Sequence, residues 1–151
     1  MLICEMAAFY RTKGISLLEA RDKMYAKYGN YLHSQESFVC EGASGMERMK
    51  EIMADLRTNT PKEIGGLKVL RFGDYMASEE VDFATGAKTA ITLPKSDVLA
   101  FRLEQNASVI IRPSGTEPKI KAYYTTIGES REAAKKLEAT IAGDFKKILG
   151  F

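Results

Sequence analysis

The chain has 151 residues, 45% of them hydrophobic and 28% charged, and its formal net charge is +2. This balance is ordinary for a globular protein, and the length is sufficient for one domain with a substantial core. It argues against a general nucleic-acid binder, which usually carries a clustered basic face. No apolar run approaches the roughly 18 residues that a membrane span requires, so we expect no membrane segment.

The few cysteine and histidine residues indicate no redox or metal chemistry. Cys4 and Cys40 are too few for a disulfide framework and have no CxxC partner, which favours reduced thiols in a cytoplasmic protein. His33 stands alone in the sequence, and we assign it no role. The apolar residues 1–4 lack a preceding basic segment and a following cleavage site, so they do not match a signal peptide.

Two helices are predicted at the start of the chain. Residues 1–13 are apolar on nearly every face, a pattern typical of a helix inside a larger body. The next helix begins after Ser16, which fits a capping box with Glu19, and it ends at Gly29. Two helices alone cannot bury these faces, so we expect the chain to continue a longer protein upstream.

A mixed region of strands and helices is predicted from about residue 36 onward. A strand at 36–41 precedes a helix at 44–57 with a methionine-rich stripe, which is either an adaptable binding surface or, as we favour, ordinary core. Later strands are predicted at 68–72, 89–93, 98–103, 108–111 and 119–127, with a hairpin tip at Thr85-Gly86. Ser130 is the predicted N-cap of a final helix.

The acidic residues of the middle region match no metal motif. We expect a solvated loop to contain Asp74, Glu79, Glu80 and Asp82. The order of elements after residue 35 is strand, helix, several strands and helix. It predicts an α+β domain of roughly 115 residues, with helices gathered on one face of a largely antiparallel sheet.

One segment between two predicted strands has the composition of an anion site. Arg112 offers a planar fork of charged donors that matches phosphate, and Ser114 and Thr116 each offer a hydroxyl. Gly115 leaves room for backbone N–H groups to approach a ligand, and Lys119 adds positive charge. The alternative is a rigid hairpin connection, because proline, serine and glycine are ordinary turn residues.

This segment, RPSGTEPK at residues 112–119, resembles the phosphate-binding loop of the α-D-phosphohexomutases, the family of phosphoglucomutases and phosphomannomutases. Residues 2–7, 63–66 and 93–99 are similar to the branch that contains bacterial phosphoglucomutases and related phosphopentomutases. The resemblance extends along essentially the whole chain.

The resemblance implies a place within a four-domain enzyme. Residues 36–151 would be the fourth domain, which has a TATA-binding-protein-like α+β fold, and residues 1–35 would be the last helices of the third. In the family, the fourth domain closes over the substrate and holds the phosphate that does not react. The residues to which that role carries are Arg112, Ser114, Gly115 and Thr116 and, less directly, Lys119.

The family reaction moves a phosphoryl group between the 1- and 6-positions of a hexose through a bisphosphate intermediate. Its phosphoserine, its Mg²⁺-binding aspartate loop and its sugar-selecting loop have no counterpart in these residues. The resemblance therefore implies no catalytic and no metal-binding residue in this chain. It implies Mg²⁺ and glucose 1,6-bisphosphate as cofactors of the parent enzyme. The expected partners are a sugar phosphate and three upstream domains, with no nucleic acid and no membrane.

Three alternatives stay open at this point. The parent could be a phosphomannomutase or a phosphopentomutase, since the residues that select the sugar are absent. The chain could also be a free-standing phosphate-binding module without catalysis. A nucleic-acid binder is suggested only by the expected fold, and the near-neutral charge argues against it.

Overall fold

The computed structural model describes all 151 residues as four α-helices and eight strands. The helices are α1 (Leu2–Thr12), α2 (Leu17–Tyr28), α3 (Gly45–Thr58) and α4 (Arg131–Ile148). The strands are β1 (Asn30–Val39), β2 (Glu63–Ile64), β3 (Leu67–Asp74), β4 (Glu79–Asp82), β5 (Lys88–Ala90), β6 (Leu99–Leu103), β7 (Ser108–Pro113) and β8 (Lys119–Gly128). None of the four helices combines the length and apolar character needed to cross a membrane.

The sheet is antiparallel throughout. Seven strands follow the order β1-β8-β7-β6-β3-β4-β5, and β2 pairs with β3 outside that row. Strand β8 pairs with β1 along its full length on one side and with β7 over residues 120–125 on the other. Strand β8 is therefore hydrogen-bonded to a neighbouring strand on each side, and the predicted anion segment leads directly into it.

The helices α3 and α4 pack with one face of the sheet. Strand β8 turns Ile120, Ala122 and Tyr124 toward them, and all three are buried, as the period of two along a strand requires. One cluster of 21 buried residues joins this strand face to both helices. The predicted α+β class, with helices on one face of an antiparallel sheet, is confirmed.

The first two helices bury none of their residues. The predicted capping box is present: Ser16 Oγ accepts a hydrogen bond from the Glu19 backbone N–H at 3.2 Å, and the Glu19 carboxylate accepts one from the Ser16 N–H at 2.6 Å. The hydrogen bond from the Ser16 backbone N–H to the Glu19 carboxylate, with a second from the Ser16 hydroxyl, lowers the pKa of Glu19 below its ordinary value. Large apolar side chains stay exposed on both helices, such as Leu2 at 82% and Leu18 at 63%. The pair thus has the unpartnered apolar faces that the sequence predicts.

Two predicted elements differ from the structure. Strand β1 begins at Asn30 rather than near residue 36, because its pairing with β8 continues to Gly128. The first half of β1 is rich in polar residues of low strand propensity, which conceals it in the sequence. The predicted solvated loop is wrong: Asp74 ends strand β3, and residues 79–82 form β4, whose pairing with β3 satisfies its backbone despite the acidic composition.

A glycine turn between β2 and β3 packs against α4. Gly65 has a φ of +61°, and its N–H donates to the Asp144 carboxylate at 2.7 Å. A Cβ at this position would lie only 2.7 Å from the Cα of Ile141. Gly66 has a similar φ of +77°, but a Cβ there would meet nothing within 4 Å. Close packing therefore restricts Gly65 alone, whereas backbone conformation restricts both glycines.

We predict that Gly65→Ala lowers the free energy of unfolding by about 3 kcal/mol, because steric overlap adds to the cost of a left-handed backbone. Gly66→Ala has only the cost of the left-handed backbone, and it should lower the free energy of unfolding by about 1 kcal/mol. Urea unfolding of the two variants beside the wild type measures the difference. Equal losses in the two variants would contradict the close packing of this turn on α4.

Tyr124 brings a polar atom into the core without a partner. The residue is 1% exposed, and its hydroxyl forms no hydrogen bond. Burial raises the pKa of the Tyr124 hydroxyl above its ordinary value, and the nearby negative charges of Glu36 and Glu138 add to the effect. The ring contributes to the core, where it meets Phe145 edge to face at 6.3 Å between centroids. The hydroxyl, by contrast, is a net cost to the fold.

Tyr124→Phe is expected to stabilise the protein by about 1 kcal/mol at neutral pH, because it removes an unpaired buried hydroxyl and keeps the ring. Above pH ~10 the unfolded chain releases the tyrosine proton before the folded chain does, so the wild type loses stability relative to the variant by about 1.4 kcal/mol per pH unit. Denaturant unfolding between pH 7 and 11 measures both effects. Tyr31→Phe, at a 44% exposed position, is the control and should change neither. A loss of stability in Tyr124→Phe at pH 7 would contradict this account.

Candidate functional site

The predicted anion segment is a turn whose two ends are held by backbone hydrogen bonds. The Ser114 N–H donates to the Lys119 carbonyl at 2.8 Å, which extends the β7–β8 pairing by one step. The Pro118 carbonyl accepts from the Cys40 N–H at 2.7 Å, which ties the turn to the end of β1. Residues 115–117 between these anchors are exposed. The turn therefore presents a short exposed tip on a fixed base.

Several hydrogen-bond donors in the segment have no protein acceptor. Arg112 is exposed and forms no ion pair, and its only hydrogen bond runs from Nε to the Tyr123 hydroxyl at 3.3 Å. The Gly115 N–H and the Thr116 hydroxyl form no hydrogen bond within the chain. The Ser114 hydroxyl receives one long contact, from the Thr116 N–H at 3.5 Å. A charged fork, a backbone amide and two hydroxyls are thus free for a ligand.

Lys119 differs from Arg112 in its surroundings. Its Nζ lies 2.5 Å from the Glu117 carboxylate, and the hydrogen bond from Lys119 lowers the pKa of Glu117 below its ordinary value. The charge of Lys119 is therefore largely compensated within the chain. Of the two charged residues predicted for the site, Lys119 therefore has less free charge than Arg112 to offer a ligand.

Glycine at position 115 is not required by the fold itself. Gly115 does not have a positive φ, and a Cβ there would meet no atom of the chain within 4 Å. Alanine could therefore occupy the position without strain or overlap. Glycine at this position would, however, suit a ligand from outside the chain that approaches the backbone closely.

A groove of about 390 Å³ runs beside the turn. The turn contributes Arg112, Ser114 and Gly115 to its wall, whereas Thr116 and Lys119 lie outside it. The other lining residues include Met46, Met49, Lys50 and Met53, at the spacing of one face of α3, and Ser96, Asp97 and Val98 before β6. Met49 and Met53 are buried and Met46 is exposed. The methionine stripe is thus mainly core, as favoured, with one edge at the groove.

Arg57 fixes the far wall of the groove. Its guanidinium lies 3.0 Å from the Asp74 carboxylate at the end of β3, and it also donates to Asp97 in the groove wall. Burial lowers the pKa of Arg57, but the bonds and charges of the two aspartates outweigh that effect and leave the pKa raised. The clamp joins α3 to the segment before β6. It also compensates the charge of Asp97, which would otherwise repel an anion in the groove.

Four residues at the turn, in its groove or behind the groove wall were not predicted from the sequence. Tyr123 had a detectable signal, because Lys119, Lys121 and Tyr123 alternate on one face of a predicted strand next to Arg112. Arg57 and Asp97 are 40 residues apart, and no local pattern joins them. Lys50 lies on a helix face whose methionine residues indicate core packing rather than a binding surface. The chain contains no group of three or more histidine, cysteine or acidic side chains that could hold a metal ion.

Comparison with known proteins identifies the family of this chain. Residues 41–143 match the family described as phosphoglucomutase/phosphomannomutase, C-terminal domain. A phosphoglucomutase of Staphylococcus aureus is 33% identical over 141 residues, which are 93% of this chain and 25% of that protein. A phosphoglucomutase of Staphylococcus saprophyticus is 35% identical over 112 residues, which are 74% of this chain and 20% of that protein.

The fold is similar to part of a solved structure. The open form of pp63/parafusin, a phosphoglucomutase of Paramecium, superposes on 94% of this chain and 26% of its own with a TM-score of 0.55 and 15% identity. That likeness supports the fold alone, whereas the family match and the bacterial relatives rest on sequence. The chain spans a quarter or less of the length of these curated relatives. It belongs to the phosphoglucomutase/phosphomannomutase C-terminal domain family.

Proposed function

We propose that this chain is the phosphate-holding domain of a phosphoglucomutase-like enzyme. In this role Arg112, Ser114, Gly115 and Thr116 bind the phosphate of a hexose phosphate that is not being transferred. The observation that carries the proposal is the exposed Arg112 guanidinium without a carboxylate, next to an amide and hydroxyls that have no acceptor. Such a set of donors on a fixed turn suits a phosphate dianion.

The two terminal nitrogens of Arg112 can donate in parallel to two phosphate oxygens, while the Gly115 N–H and a hydroxyl donate to the others. A hydrogen bond to a charged group contributes about 1.5–3 kcal/mol net. Three or four such bonds, less the cost of association, leave a dissociation constant of about 1 mM. The site therefore orients a substrate that makes further contacts elsewhere, and it takes no part in breaking bonds.

The chemistry of the reaction belongs, in this proposal, to the parent enzyme. The matching relatives are phosphoglucomutases about four times as long as the matched region, since it covers 25% of one of them. The parent would transfer a phosphoryl group between the 1- and 6-positions through a bisphosphate. The proposal places Mg²⁺ in the upstream domains, because the resemblance carries no metal-binding residue over to this chain.

The exposed helices α1 and α2 support a place within a larger protein. They bury no residue, and they present Leu2, Ile3 and Phe9 at 82%, 64% and 52% exposure. Apolar faces of this kind are usually covered by other parts of the protein. We propose that α1 and α2 belong to the end of the preceding domain, which is what the resemblance implies for residues 1–35. The sheet of the present domain begins at Asn30.

Gly115→Ala should keep the fold and weaken phosphate binding about tenfold, because the added methyl group stands where the phosphate approaches the backbone. Gly143→Ala is the matched control: its Cβ also meets no atom, but it lies in α4 away from the turn. NMR titration of the 151-residue chain with inorganic phosphate measures the affinity. Equal phosphate affinity in Gly115→Ala and wild type would show that the backbone of the turn does not contact the phosphate.

The chain alone is expected to show no mutase turnover, since it offers phosphate binding without a phosphoserine or a metal site. A coupled assay with glucose 1-phosphate, Mg²⁺ and glucose 1,6-bisphosphate tests this expectation, with an intact phosphoglucomutase as the positive control. Turnover above the blank that grows with the concentration of the purified chain would contradict the proposed division of labour.

A further inference from the structure

The only hydrogen bond of the Arg112 side chain is to Tyr123. Arg112 Nε donates to the Tyr123 hydroxyl at 3.3 Å. The central guanidinium carbon also lies 5.8 Å from the centroid of the Tyr123 ring, within the range of a cation–π interaction. One side chain therefore contacts the guanidinium both through a hydrogen bond and through its ring. The terminal nitrogens of Arg112 have no protein acceptor.

The pairing of β7 with β8 produces this contact. Arg112 lies opposite Lys121, and Tyr123 is two residues farther along β8, opposite Ile110. Residues two apart on a strand share a face, so Tyr123 is the diagonal neighbour of Arg112, within reach of a long side chain. On its other side Tyr123 is opposite Gln35 of β1. The ring thus stands on the sheet between two paired strands.

A free arginine samples many rotamers, and ordering its side chain costs up to about 2 kcal/mol. The contact with Tyr123 limits those rotamers before a ligand arrives. It engages Nε and brings the ring within range of the guanidinium, and it leaves the outer edge with both terminal nitrogens available. That edge is the one that binds two oxygens of a phosphate in parallel.

We propose that Tyr123 is a positioning residue that holds the Arg112 guanidinium in its phosphate-binding orientation. This inference rests on the proposed phosphate site, and it assigns Tyr123 a role through Arg112 rather than a contact with the phosphate. Two interactions are involved, and they can be separated. Tyr123→Phe removes the hydrogen bond and keeps the ring, whereas Tyr123→Leu removes both.

The test is an NMR titration of the 151-residue chain with inorganic phosphate and, separately, with glucose 6-phosphate. We expect wild-type amide shifts centred on residues 112–116. Affinity should fall about threefold in Tyr123→Phe, which loses one neutral hydrogen bond. It should fall about tenfold in Tyr123→Leu, which loses that hydrogen bond and the cation–π contact as well. Tyr31→Leu, at an exposed position near the opposite end of the sheet edge strand β1, is the control and should bind as the wild type does.

The Arg112 Nε–Hε resonance supplies a readout that a merely structural role would not move. In Tyr123→Phe it should shift and exchange faster with solvent, while the backbone amides of β7 and β8 keep their positions. Phosphate added to the wild type should shift the terminal guanidinium resonances more than Nε–Hε, because Nε is already bonded.

The outcomes separate the two ideas. If phosphate causes no shift at residues 112–116 of the wild type, the proposed phosphate site is wrong. If the wild type binds there and Tyr123→Phe binds equally well with an unchanged Nε–Hε resonance, the positioning role is wrong and the phosphate site stands. Should Tyr123→Leu fail to fold by circular dichroism, Tyr123→Phe decides the question alone.

Discussion

The pairing of β7 with β8 is the constraint on which the site depends. It places both ends of a short turn in the part of the sheet that is paired on both sides and packed against helices, and the Ser114–Lys119 hydrogen bond continues it to the turn itself. Donors on such a frame lose little further freedom when a ligand binds, which is the general advantage of preorganisation. The same register places Arg112 beside Tyr123 on one face. One ladder thus sets the shape of the turn and the direction of its charged side chain.

Charge compensation distinguishes Arg112 from three other cations of the chain. Arg57 is held by two aspartates, Lys119 by Glu117 and Arg71 by Glu80 at 3.2 Å, so their charges serve the chain itself. Arg112 has an aromatic ring instead of a carboxylate, and a ring orients a guanidinium without neutralising it. The clamp of Arg57 on Asp97 has the complementary effect, because it reduces the negative potential in the groove. The arrangement leaves an uncompensated positive charge at the turn without a strongly basic surface, which supports the proposed anion site.

Much of the fold could be predicted from local signals. Ser16 and Ser130 mark helix starts through short-range hydrogen bonds, and the alternation along β8 assigns its buried face. The start of β1 could not be predicted, because a long-range ladder rather than strand propensity places Asn30 in the sheet. The turn was identified from composition and resemblance. The far wall of its groove was not, since Arg57 reaches Asp97 through tertiary packing that spacing in the sequence does not encode.

The central claim is that an exposed turn recognises phosphate and contributes no bond-breaking group. A crystal structure of this chain with glucose 6-phosphate at about 50 mM, well above a millimolar dissociation constant, tests it most directly. The account predicts phosphate oxygens within hydrogen-bond distance of the terminal nitrogens of Arg112 and of the Gly115 N–H, with the Nε–Tyr123 bond retained. It would be contradicted by an empty turn whose guanidinium has moved to a carboxylate, or by the phosphate bound to other residues of the chain.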